Sequence, residues 1–340
     1  MNLSLKRSSA TAVVSLLALL ALTVTPLVYA PLAGAPLVRG CNCVTATIPV
    51  GSEPHGVAVD VATNMVYVAN FFSNTLSVIS GSSNTVVATI PVGSFPYGVD
   101  VNPTTNTIYV TNSGSGTLSV ISGSSNAVTA TIQLGTSPIG VGVDSQTNMI
   151  YVAAGGVQVI SGATNRIVDT ILLGAGANFV GVDSVTDMVY VANALNAVSV
   201  ISCATDAVTA TIPVGIAPAF IGVNSKTDTI YVANFQSNTV SVISGQTNSV
   251  VATITVGSSP FGVGVDPKTN EVYVANEDSG NVSLISGRTN TVAATITVGN
   301  SPIGVAVNPG TGMVYVANDF SNTVSVISGA RITGRPTSGS

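Results

Sequence analysis

One short phrase recurs along this chain and limits what it can fold into. A tyrosine followed by Val, by Ala or Thr, and in six of seven copies by Asn falls at Tyr67, Tyr109, Tyr151, Tyr190, Tyr231, Tyr273 and Tyr315. Successive tyrosines are 42, 42, 39, 41, 42 and 42 residues apart. A fixed period of this length marks one supersecondary unit repeated in space, each copy covering its neighbour's apolar face. Within each period lie four short runs of Val, Ile, Tyr and Thr, punctuated by Gly, Asn, Asp, Ser and Pro. In the sixth unit they are residues 262–266, 271–275, 281–286 and 292–298. Four strands per unit make one propeller blade. A helical repeat would show a 3.6-residue period, and a leucine-rich repeat would be shorter. The expected fold is therefore all-β: a seven-bladed β-propeller of four-stranded blades over residues 44–329.

Composition agrees. Only 7% of the 340 residues are charged and 46% are hydrophobic, which excludes a charge-rich disordered chain or a coiled coil. With one His and no Trp, a multi-His metal centre within one chain is excluded, as is a tryptophan-aspartate repeat. A Ser-His-Asp hydrolase would have His55 as its only base. The net charge of -5 lacks the basic footprint that nucleic-acid binding needs.

The turns have mechanical readings. The first strand of each unit ends in Asp60, Asn102, Asp144, Asp183, Asn224, Asp266 or Asn308, placed to accept a bond from the backbone two residues on. Ile-Ser-Gly closes the third strand in six units, its Gly expected to supply a backbone angle that other residues resist. In the fourth unit Cys203 replaces that Gly.

The Tyr109-Val110-Thr111-Asn112 copy, its Tyr-Val-Ala-Asn variants and the Thr-Ile-x-Val-Gly strand endings resemble the YVTN β-propeller repeat family, which includes archaeal surface-layer proteins and periplasmic YncE-like proteins. The resemblance covers roughly residues 44–329. It implies export and binding, carries over no catalytic residue, and for YncE-like members implies single-stranded DNA binding, which the scarcity of basic residues opposes here.

The last unit has no Thr-Ile-x-Val-Gly strand of its own, whereas residues 44–51 supply one with no blade before it. The N-terminal strand is thus expected to complete the seventh blade and close the ring. Cys41 and Cys43 then lie at the rim of blade seven, across the ring from Cys203 and beyond the reach of a bridge to it. A Cys41–Cys43 bridge and a metal or lipid role for the pair both stay open. Ahead of the ring, Lys6 and Arg7 precede an apolar run from Ala10 to Thr25, the pattern of a secretory signal. Residues 1–43 are read as a signal peptide or membrane anchor plus a short linker, with cleavage, lipidation and retention all open. Residues 330–340 are read as a disordered tail.

Loops joining a fourth strand to the next first strand share one face, here the top, with loops joining second to third strands. The top loops carry Glu53, His55, Glu277, Asp278 and Asp319 and no Lys or Arg, while Arg166, Lys226, Lys268 and Arg288 lie at the bottom. Glu53, Glu277, Asp278 and Asp319 are candidate loop-tip ligands for a hard cation such as Ca2+, the only cofactor considered. His55, Tyr97, Phe72, Phe235 and Asp100 are candidate ligand-binding residues at the channel mouth. Asp100 stands where the other units have Ala or Gly, and a carboxylate there must be hydrated, bonded or protonated. The expected function is an exported, non-enzymatic binding or cell-surface module, located extracellularly, at the cell surface or in the periplasm. Its partner would be a cell-surface component, another protein or a small ligand, with membrane contact only through the N-terminal segment. The alternatives are a propeller enzyme of lactonase or lyase type using a divalent cation, and a single-stranded DNA-binding protein.

Overall fold

A computed structural model describes residues 42–329. The expectations for residues 1–41 and 330–340 lie outside the described residues. The rest forms seven four-stranded antiparallel sheets. Blade one runs Pro54–Asp60, Met65–Asn70, Thr75–Ser80 and Thr85–Pro91, and blades two to six repeat this order. Blade seven takes three strands from the C-terminal end, Pro302–Asn308, Met313–Asn318 and Thr323–Ser328, and its outermost strand, Cys43–Pro49, from the N-terminal end. Val44 pairs with Ile327 and Ile48 with Val324, so the ring closes as expected. Ile48, 3% exposed, packs in one cluster with Val57 and Val66 of blade one and Tyr315 and Val324 of blade seven. Burying a side chain of that size contributes roughly 1.5–3 kcal/mol to the clasp.

The repeated phrase forms the second strand. In six blades its tyrosine sits opposite an Ala or Gly of the first strand, as in Tyr67 with Ala58 and Tyr273 with Gly264, and in blade two Tyr109 sits opposite Asp100. All seven tyrosines are at most 1% exposed, their rings filling the seams between blades. The phrase's Asn ends the strand and turns inward. Asn276 Nδ2, for example, donates to Asn281 Oδ1 and Ser283 Oγ across the blade.

At the bottom face every first-strand Asx accepts from the backbone two residues on, from Ala62 N onto Asp60 (2.9 Å) to Gly310 N onto Asn308 (2.8 Å). The Ile-Ser-Gly reading needs correction. The left-handed angles in the turns that follow belong to Asn residues such as Asn84, Asn126 and Asn248, not to the glycines. Gly81 is there because a Cβ would come within 2.5 Å of Asn64 Oδ1. Cys203 takes that position in blade four, where its thiol bonds the Tyr151 hydroxyl and burial pushes its pKa up to about 11. Cys203 is a free thiol and Cys43 is disulfide-bonded, in line with the expected separation of the two rims.

Candidate functional site

At three seams of the top face the residue after the Tyr-Val-Ala-Asn phrase leans on the residue after the loop proline of the next blade. In chain order this pairs Phe71 with Tyr97 (6.0 Å between ring centroids), Phe235 with Phe261 (5.8 Å) and, across the closed ring, Asp319 with His55. Backbone bonds brace each of these loops within its own blade: Phe71 N donates to Glu53 O, Phe235 N to Ala217 O and Asp319 N to Ser301 O. Glycine permits the approach of blade seven to blade one. A Cβ on Gly304 would stand 2.1 Å from the His55 carbonyl oxygen, so blade seven can meet blade one there only without a side chain.

The aromatic candidates reach the mouth and pack on one another. The His55 ring stacks on Phe71 (4.6 Å, 13° between planes) and meets Tyr97 edge-on (4.7 Å). Phe71 also stacks on Phe95 (4.9 Å), and exposed Phe72 flanks both rings. Tyr97 reaches across to Phe179 of blade four, 6.1 Å away. Phe179, Phe220 and Phe261 form a second group with centroids 4.3–5.6 Å apart, which Phe235 joins through Phe261. The phenylalanines that blades four and five carry in place of Gly thus build part of a ring cluster over the mouth. The signals for Phe71 and Phe95, its outer members, were their places in the repeat.

Asp100 stands apart. One carboxylate oxygen accepts from Val101 N (2.8 Å) and the other from Val143 N of the next blade (2.8 Å). These bonds lower its pKa, but burial outweighs them and holds it at about 6. Of the three states open to it, the carboxylate is bonded, and it serves as a strap between the innermost strands of blades two and three.

The carboxylates divide into two sets. Glu53 has a left-handed backbone (φ 50°) and is pinned by a bond from its N–H to Asn322 Oδ1 (2.9 Å). Its carboxylate, the His55 imidazole and Asp319 bring donor atoms within 4.8 Å of one another. Asp319 is not a loop tip: it opens the 3₁₀ turn Asp319–Ser321 and is 5% exposed. Burial, then Glu53 and Glu277, raise its pKa to about 7. Burial lowers that of His55 to about 4, so its imidazole is neutral at pH 7. The two are therefore not an ion pair at neutral pH, and their 3.7 Å separation exceeds a hydrogen bond.

The second set faces a cleft of about 400 Å³ between blades six and seven, lined by Glu277, Asp278, Ser279, Gly280, Asn300, Ser301 and Phe320. Asp278 accepts from Ser259 Oγ, and Glu277 Oε1 from Ser301 Oγ (3.3 Å). Burial and then the Asp278 charge push Glu277 above its ordinary pKa. Phe320 is 70% exposed at the rim. Among the described residues no Lys or Arg lies in the top loops.

Neither a scan of protein-family models nor a search of curated proteins finds a match for the chain. Solved structures do share the fold. One is a chain of the Kuenenia stuttgartiensis hydrazine synthase, with a TM-score of 0.74 and 18% identity, covering 81% of this chain and 95% of that one. At that identity the likeness shows the propeller fold alone.

Proposed function

We propose that this chain is an exported, non-enzymatic binding module of the YVTN-repeat kind at the cell surface, and that its ligand carries a positive charge. The Lys6–Arg7 pair and the apolar run that follows support export. One observation carries the ligand class: the cleft between blades six and seven sets Glu277 and Asp278 beside the exposed Phe320 ring, on a face with no Lys or Arg among the described residues. Carboxylates attract a cation, and an aromatic face within about 6 Å adds roughly 0.5–2 kcal/mol when the cation sheds water. A quaternary ammonium or a lysine-like amine meets both demands.

Calorimetric titration with choline and with its neutral carbon isostere, 3,3-dimethylbutanol, tests the reading. Choline should bind the full chain and the isostere should not, and a Glu277→Gln/Asp278→Asn variant should lose most of the choline affinity. Equal binding of both probes, or of neither, would refute it.

A further inference from the structure

At the seam where the ring closes, Glu53, His55 and Asp319 bring their polar atoms together in a nearly buried place. His55 and Asp319 have side chains only 10% and 7% exposed, yet Asp319 Oδ1, the atom turned toward the imidazole, has no hydrogen-bond partner. Buried polar atoms are normally satisfied, because leaving one bare forfeits its hydration with no return. His55 Nε2 and Asp319 Oδ1 face each other at 3.7 Å. Two metal–ligand bonds of about 2.0–2.1 Å that open at about 110–125° hold their donor atoms about 3.4–3.7 Å apart. Glu53, fixed by its Asn322 bond, brings a third donor within 4.8 Å of both.

We propose that Glu53, His55 and Asp319 form a binding site for a divalent transition-metal ion of the zinc class. One imidazole nitrogen and two carboxylates suit such an ion and leave at least one position for water or an external ligand. Calcium asks for six to eight oxygens, which this group does not offer. The site uses none of the lining of the Glu277–Phe320 cleft, so either assignment can fail without the other.

His55 is the only histidine, so one pair of ring-proton signals reports on the site in a chain carrying no added histidines. Stoichiometric Zn2+ should shift those signals and raise the melting temperature. Co2+ should give the visible absorption of a low-coordinate nitrogen and oxygen site. His55→Asn and Asp319→Asn should each weaken Zn2+ binding by more than about tenfold, while Glu277→Gln/Asp278→Asn should keep it. Imidazole signals unmoved by excess Zn2+ would overturn the proposal without any variant, and so would wild-type affinity in His55→Asn. Displacement of Zn2+ by an equal concentration of Ca2+ would show an oxygen-only site and overturn it as well.

Discussion

Asp183→Asn should stabilise the protein, and three seams of the same ring say by how much. At the bottom face, Asn102 Nδ2 donates to Asn148 Oδ1 (2.8 Å), Asn224 Nδ2 to Asn270 Oδ1 (2.7 Å) and Asn308 Nδ2 to Asn64 Oδ1 (2.7 Å). Each bond ties one blade to the next. Between blades four and five the equivalent pair is Asp183 and Asp228, neither of which can donate when charged. Asp183 Oδ2 and Asp228 Oδ1 are both buried without a partner. An amide at 183 would keep the bond from Val185 N to Oδ1 and add a donor facing Asp228. A hydrogen bond to a charged group contributes about 1.5–3 kcal/mol net, of which the partly exposed Asp228 should realise about 1–2. In a domain of this size that corresponds to a melting temperature higher by about 2–6 °C at pH 7. The sign with pH follows from Asp228, whose folded pKa is raised by burial and then by the Asp183 charge. The wild-type penalty is present above that raised value and absent below the ordinary carboxylate pKa of about 3.9. The variant's advantage should therefore shrink as pH falls from 7 to 4. Scanning calorimetry at both pH values, with Asn224→Asp as the reverse change, checks this. A lower melting temperature for Asp183→Asn at pH 7, or an advantage that does not change with pH, would refute the seam argument.

Removing residues 42–50 should lower the melting temperature sharply and expose blade seven to proteases, because it opens the ring and strips Ile48 from the core. A change of under 2 °C, a shift of roughly 1 kcal/mol at most, would contradict closure as a source of stability. Gly304→Ala should cost about 1–3 kcal/mol, since its Cβ would meet the His55 carbonyl oxygen at 2.1 Å, whereas Gly176→Ala, with nothing within 4 Å, should be neutral or slightly stabilising in denaturant melts. Cys203, with its pKa raised to about 11, should react with iodoacetamide at pH 7.5 far more slowly than an unhindered thiol, and faster only as pH approaches that value.

The ring and its closure were legible because a strand's period, its turn residues and a missing fourth strand are all written locally. Residues 44–51 have the letters of an outer strand and no blade in front of them. The bottom turns were legible for the same reason, since an Asx side chain bonds backbone two residues away. The Ile-Ser-Gly glycines were misread because their reason is not local: they make room for residues such as Asn64 of the neighbouring turn, while Asn84 or its equivalent takes the left-handed angle. At the top, sequence placed Glu53, His55, Glu277, Asp278 and Asp319 on one face but could not sort them. Whether Asp319 sits beside His55 or beside Glu277 depends on which blade-to-blade seam it faces, and only the register across the closed ring fixes that. Tyr97 reaching Phe179 two blades away spans the channel, which no spacing along the chain encodes.

The account rests most heavily on the top face being where positive charge is recognised. Amide NMR mapping of choline on the full chain tests this directly. Shifts should be confined to residues 277–280, 300–301 and 320. Shifts gathered instead around Arg166, Lys226, Lys268 and Arg288 on the bottom face, or spread evenly over the blades, would contradict it.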